Sequence, residues 1–205
     1  MEIPKRIVEQ AKNLFKARGI RGVTMDDIAR ELGMSKKTLY QYFKNKADIV
    51  HHVTMAHFEI ETCQISDARN KAKDPLEEMV IILKSFSKTF KEIPASMVYE
   101  VQKYYPKAWG LFHDFKNTHM VEAVHRNLEQ GQQMGLYRKD LDIEIVTKIR
   151  IEQIVMVFNP TLFPPAEYDL TKVSIEMFSL FLHGLVTSEG KKLLYQYLNT
   201  AENEA

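Results

Sequence analysis

Apolar positions recur along this chain at helical spacing. Ile7, Val8, Ala11, Leu14 and Phe15 fall at i, i+1, i+4, i+7 and i+8, the signature of one buried helix face. Gly19 follows where a helix C-terminus takes a left-handed residue. Thr24 then predicts an N-cap, with Asp27 at the reciprocal capping-box position and Val23 and Ile28 spaced as a hydrophobic staple. That short helix stops at Gly33. Ser35 caps a third, which ends near Phe43, and Asn45 with Asp48 opens a long helix to about Asn70. Asp74-Pro75-Leu76-Glu77 supplies an N-cap, a proline at N1 and a glutamate at N3. The stripe behind it is Leu76, Met79, Val80, Leu83, Phe86 and Phe90. Pro94 and Pro106 punctuate the next region, and a long helical pattern runs from 107 to 134 and closes at Gly135. Asp142 opens a helix to Phe158. A proline-marked loop at 159–168 precedes two last helices, 169–187 and 189–201. No segment alternates with period two and no repeat is evident. The expectation is an all-α chain, with an N-terminal three-helix domain (residues 1–48) and a larger helical domain (49–205).

Two short helices joined by a Gly-containing turn, the second one basic, describe a helix-turn-helix. The directions of its side chains sharpen this. At about 100° per residue from Lys36, Leu39 falls at roughly 300° and Phe43 at roughly 340°, the side turned inward. Lys37, Gln41 and Thr38 face away, with Lys36 at the leading edge and Tyr40 and Tyr42 on the two flanks. Such a helix fits a DNA major groove, base edges meeting the outward face and phosphates the flanks. Lysine can donate to guanine, glutamine can pair with adenine and a threonine methyl can touch thymine. Thr24 and Lys46, each at a helix start, can add phosphate contacts.

The charge distribution favours this reading. The net formal charge is +1, yet residues 1–48 hold 11 Lys/Arg against 6 Asp/Glu, and the remainder 17 against 21. A basic first quarter on an acidic body points to an anionic partner for that quarter.

The run 24-TMDDIARELGMSKKTLYQYFKNKADIV-50 resembles the DNA-binding domain of TetR-family transcriptional repressors. The match lies in the Thr before the first short helix, in IA-x-x-LG, in S-x-x-TLY-x-YF and in K-x-K. It is specific over about residues 5–55 and architectural beyond them. The resemblance implies a homodimer on a near-palindromic double-stranded DNA operator. It gives Thr24, Tyr40, Tyr42 and Lys46 to phosphates, and Lys36, Lys37, Thr38 and Gln41 to base reading. Lysines at 36 and 37 depart from the small residues many members carry, which leaves the base preference open.

The family's second half usually holds an effector pocket and a dimer interface. Eight of the 21 aromatic residues lie within 86–115. Phe86, Phe90, Tyr104, Trp109, Phe112 and Phe115 are therefore the candidate contacts for a small apolar or aromatic effector. The helix near 169–187 is apolar nearly all round, which asks for cover on most sides. Val173, Met177, Phe181, Gly184 and Leu185 are the candidate dimer contacts. A dimeric DNA-binding regulator without an effector, governed by a protein partner, is the alternative.

Other chemistry is not indicated. His113, His119 and His125 are six residues apart and do not share a face, and no Cys/His cluster has zinc spacing, so no metal and no cofactor are expected. A Gly-rich phosphate loop, a nucleophile motif and a paired-carboxylate site are all missing, so an enzyme is not expected. The lone Cys63 and the lack of a long apolar run suit a cytoplasmic protein away from the membrane.

Overall fold

The computed structural model describes residues 2–164 and 166–202, leaving out the side chains of Phe90, Lys91 and 199–202. Among the described residues there are eleven α-helices and no strand. They gather into two compact units, one of residues up to Ile60 with Glu92–Phe115, the other of Glu61–Lys91 with the residues from Lys116 on.

In the first unit, α1 (Ile3–Arg18) ends on Gly19, whose N–H donates to the Phe15 carbonyl and whose positive φ of 72° turns the chain out of the helix. The helices α2 (Met25–Glu31) and α3 (Lys36–Tyr42) start on Thr24 and Ser35. Between them Gly33 turns the chain with a φ of 64°, and the Met34 N–H donates to the Ala29 carbonyl. Ile7, Phe15, Ile28, Leu39 and Ile49 are completely buried. The same core takes in Met97 and Val101 of α6 (Ala95–Tyr104) and Ala108 of α7 (Pro106–Phe115).

Two long helices, α4 (Lys46–Lys71) and α5 (Pro75–Glu92), each carry residues of both units. The helical run expected from 107 to 134 is present, but with a π-helical turn at Lys116–Met120, between α7 and α8 (Val121–Gln133).

The second unit further contains α9 (Ile143–Val157), α10 (Leu170–Leu185) and α11 (Ser188–Glu202). Asp74 caps α5 by accepting the N–H groups of Leu76 (2.8 Å) and Glu77 (3.0 Å), and the Tyr197 hydroxyl donates to its other oxygen. After α8 the chain turns at Gly135 (φ 72°) and pairs with the segment joining α10 to α11. Tyr137 bridges Val186, Arg138 N–H donates to Leu185 (2.9 Å) and Thr187 N–H to Leu136 (2.9 Å). Beneath this turn lies a buried polar network. Glu78 accepts from Arg126 and from Asn127 (2.7 Å), Asn127 also donates to the Pro75 carbonyl (2.9 Å), and the Tyr137 hydroxyl donates to Asn127 (3.0 Å).

The expected all-round apolar character of α10 resolves into two sides. Phe178, Phe181, Leu182 and Leu185 are buried within the chain. Val173 and Met177 are half-buried and Gly184 is exposed. At 100° per residue these three lie within about 60° of Leu180, which is 72% exposed. Ile145, Ile149 and Met156 form a comparable exposed stripe on α9. Among the described residues no helix is long and apolar enough to cross a membrane.

Candidate nucleic-acid interface

The recognition helix α3 is pinned from one side. Leu39 is fully buried and Phe43 nearly so, while Lys37, Tyr40, Gln41 and Tyr42 are exposed. Thr38 is half-buried, its hydroxyl 2.8 Å from Ser35 Oγ, and its N–H donates to the same Ser35 oxygen at 3.0 Å. Lys36 is exposed and bonds Asp26 at 2.8 Å, and this hydrogen bond raises the ammonium's pKa. The structure thus brings the sequence-predicted reading residues onto one short helix.

Thr24 lies at the α2 N-terminus in a complete capping box. Its hydroxyl donates to Asp27 Oδ2 (2.6 Å) and accepts the Asp27 N–H (3.1 Å), and the Thr24 N–H donates to the same carboxylate (2.9 Å). The Thr24 side-chain bond, the Thr24 N–H bond and the nearby Arg18 and Arg30 lower the Asp27 pKa to about 2. The folded state therefore holds this carboxylate charged more strongly than the unfolded chain does. Its contribution is complete above the ordinary carboxylate pKa of 3.8 and is lost as pH falls through about 2. Comparing acid unfolding of the wild type and Asp27→Asn should show the variant lacking that part of the acid limb. Superimposable acid limbs would refute the assignment.

Lys46 departs from expectation. It is half-buried, and its ammonium donates to the carbonyls of Ile20 (2.9 Å) and Val23 (2.8 Å) in the α1–α2 turn rather than standing free for a phosphate. Burial lowers its pKa. The other side of the turn is held by Glu100 of α6, whose carboxylate accepts the N–H groups of Ile20 (2.7 Å) and Arg21 (3.0 Å). The turn that leads into the reading helices is therefore clamped between a cation on α4 and an anion on α6. Glu100 has no local sequence signal, because its partners lie 79 and 80 residues away.

The aromatic candidates separate. Trp109 and Phe112 have ring centroids 4.7 Å apart, and Phe58 of α4 stacks on Phe115 at 4.9 Å and lies 6.1 Å from Phe112. Phe58 belongs to this cluster although it lies outside the aromatic-rich stretch. Tyr104 is exposed, with the Arg21 guanidinium 4.9 Å over its ring. Phe86 is half-buried and belongs to the second unit. The Phe90 side chain lies outside the described residues.

Comparison with known proteins agrees with this geometry. Residues 7–53 match the family model described as bacterial regulatory proteins, tetR family. An uncharacterised HTH-type transcriptional regulator of Bacillus subtilis, YvaF, is 25% identical over 187 residues, covering 90% of this chain and 96% of that protein. Two solved structures share the fold. One is a regulator from Saccharomonospora viridis in complex with choline, with TM-score 0.67, 19% identity and coverage of 90% and 97% of the two chains. The other is FadR from Bacillus subtilis in complex with stearoyl-CoA, with TM-score 0.62, 18% identity and coverage of 88% and 98%. The matched domain, which holds the reading helix, is thus a DNA-binding domain of the tetR family of bacterial regulatory proteins, and the chain as a whole shares the fold of these regulators.

Proposed function

We propose that the chain is a homodimeric repressor that leaves a palindromic operator when a small, largely apolar or aromatic effector binds. The observation that carries the DNA reading is the outer face of α3. It holds Lys37, Tyr40, Gln41 and Tyr42 in solvent, while Leu39 and Phe43 fix the helix from behind. DNA reading belongs to residues 1–48, and effector and dimer functions to 49–205. Lys36, Lys37, Thr38 and Gln41 meet bases, Tyr40 and Tyr42 meet phosphates, and Thr24 meets a phosphate by turning its hydroxyl from Asp27. Lys46 acts by holding the 20–23 turn. Lys36 exchanges Asp26 for a base on binding.

The dimer face is the exposed side of α10, where Val173, Met177 and Leu180 supply apolar area and Gly184 permits close approach. Phe181 and Leu185 support that face from within. Two such subunits place their α3 helices in successive major grooves, about 34–36 Å apart. The effector contacts the Trp109, Phe112 and Phe115 rings. It favours a conformer with the wrong half-site spacing, so DNA and effector weaken each other equally. The rings lie in the same compact unit as Glu100, whose carboxylate holds the turn entering the reading helices.

The test is selection of bound sites from random duplex DNA, followed by affinity measurement on the palindrome recovered. Lys37→Ala should relax discrimination at one base position per half-site by about 1–3 kcal/mol. Tyr40→Phe with Tyr42→Phe should weaken all sequences alike. Unchanged site preference with Lys37→Ala would remove the base-reading assignment.

A further inference from the structure

Two arginines of the second unit lie largely out of solvent, and only one has a counter-charge. Arg126 pairs with Glu78. Arg150, in the middle of α9, is 7% exposed. Its guanidinium carbon lies 4.4 Å from the Phe178 ring centroid and 5.1 Å from that of Phe181, both on α10. Among the described residues no carboxylate pairs with it and no oxygen accepts from it. Contacts of that carbon with ring faces attract the positive charge but supply no oxygen acceptor for its five N–H donors. Burial of a cation without an anion is expensive, and removal from water lowers this guanidinium's pKa to about 10.

Neighbouring turns of the same helix repeat the deficit. Thr147, three residues before Arg150, is 3% exposed, and its hydroxyl has no hydrogen-bond partner among the described residues. The same holds for the buried Oε1 of Gln153, three residues after. Buried polar groups are nearly always satisfied, so an unmet hydroxyl beside an unpaired cation calls for an external oxyanion, whereas Gln153 Oε1, an acceptor, needs a donor instead. The surroundings set the rest of the ligand. Phe178, Phe181, Ile151 and Leu182 are buried and apolar.

We propose that Arg150, with Thr147, forms an anion-binding site in the second unit for the carboxylate or phosphate head of an otherwise apolar molecule. The guanidinium offers paired donors to two oxygens of such a group, and the Thr147 hydroxyl a third. Phe178 and Phe181 hold the guanidinium between them and adjoin the ligand's first carbons. This site does not depend on the repressor reading, because it concerns binding to the DNA-free protein.

The test is calorimetric titration of the full chain with hexanoate, hexyl phosphate and hexanol, and with phenylacetate against 2-phenylethanol. The charged probes should bind at least about tenfold more tightly than their neutral counterparts, the worth of one charged hydrogen-bonding group. The tighter of hexanoate and hexyl phosphate identifies the head group. Arg150→Met should abolish the preference and leave hexanol unaffected. Arg150→Lys should restore part of it, and Thr147→Val should reduce it. Unliganded Arg150→Met should be no less stable than the wild type, since it removes an unpaired buried charge. Equal binding of charged and neutral probes, or a preference that survives Arg150→Met, would overturn the proposal. So would a loss of unliganded stability in Arg150→Met with the preference intact, which would make Arg150 a pin between α9 and α10.

Discussion

Gly131→Ala should destabilise the protein by about 3 kcal/mol or more and lower its melting temperature by roughly 6–12 °C. A Cβ at this position of α8 would lie 1.9 Å from Tyr137 Cδ2 and 2.2 Å from Cε2. Such a contact cannot be absorbed by a small adjustment, because the ring is fixed at several points. Tyr137 is fully buried, its hydroxyl donates to Asn127 and its N–H donates to the Gly131 carbonyl at 3.0 Å. Moving the ring breaks the turn or strands a buried hydroxyl. Helix propensity alone would predict the opposite sign, since alanine is favoured over glycine by about 1 kcal/mol. Gly110 of α7 is the control. No atom lies within 4 Å of a Cβ placed there, so Gly110→Ala should be neutral or stabilising. Thermal and urea unfolding of the two variants decide the matter, and equal stability of Gly131→Ala and wild type would contradict the packing described.

Glu78→Ala should cost about 3–5 kcal/mol, through loss of a partner rather than loss of volume. Glu78 is 3% exposed and its two oxygens divide between Arg126 and Asn127. Removing the carboxylate leaves a guanidinium whose Nε is already buried without a partner, and an amide that also holds Tyr137 through its oxygen. Glu78→Gln keeps an acceptor and should cost less. Replacing Glu78 and Arg126 together by leucine should recover much of the loss, because an apolar pair of similar bulk carries no unmet charge. A double-mutant cycle with no coupling between these positions would show that the pair does not act as a unit.

These two sites mark what the sequence could and could not reveal. The N-terminal reading rests on local rules. Thr24 and Asp27 form the capping box although aspartate is not the usual residue there, Ser35 caps α3, and Leu39 and Phe43 anchor the recognition helix at their expected spacing. By contrast, the apolar run of α10 did not by itself tell its two sides apart, and of the five residues singled out there Phe181 and Leu185 are buried within the chain. Glu77 and Glu78 look alike in sequence as first-turn acids, and only the fold sends one to the Lys73 N–H and the other into the interior. Phe58 joins aromatic rings more than fifty residues away, and Glu100 reaches a turn eighty residues distant. Long-range partners of that kind leave no periodic trace. The π-helical turn at Lys116–Met120 changes the phase of a run that sequence reads as uninterrupted.

The makeup of the first unit bears on how portable the DNA-reading part is. Met97, Val101 and Ala108 complete the core that also buries Ile7, Leu39 and Ile49. The reading head is therefore not a cassette occupying the first fifty or sixty residues. A fragment ended after Ile60 would keep every residue assigned to DNA and lose one wall of its own core, together with the carboxylate that holds the α1–α2 turn. Grafting this specificity onto another body would need residues 92–115 as part of the graft, or a recipient whose helices present equivalent apolar groups. Exchange of operator specificity between such regulators should accordingly work best by substituting the outward residues of α3 in place, and poorly by swapping the N-terminal segment whole.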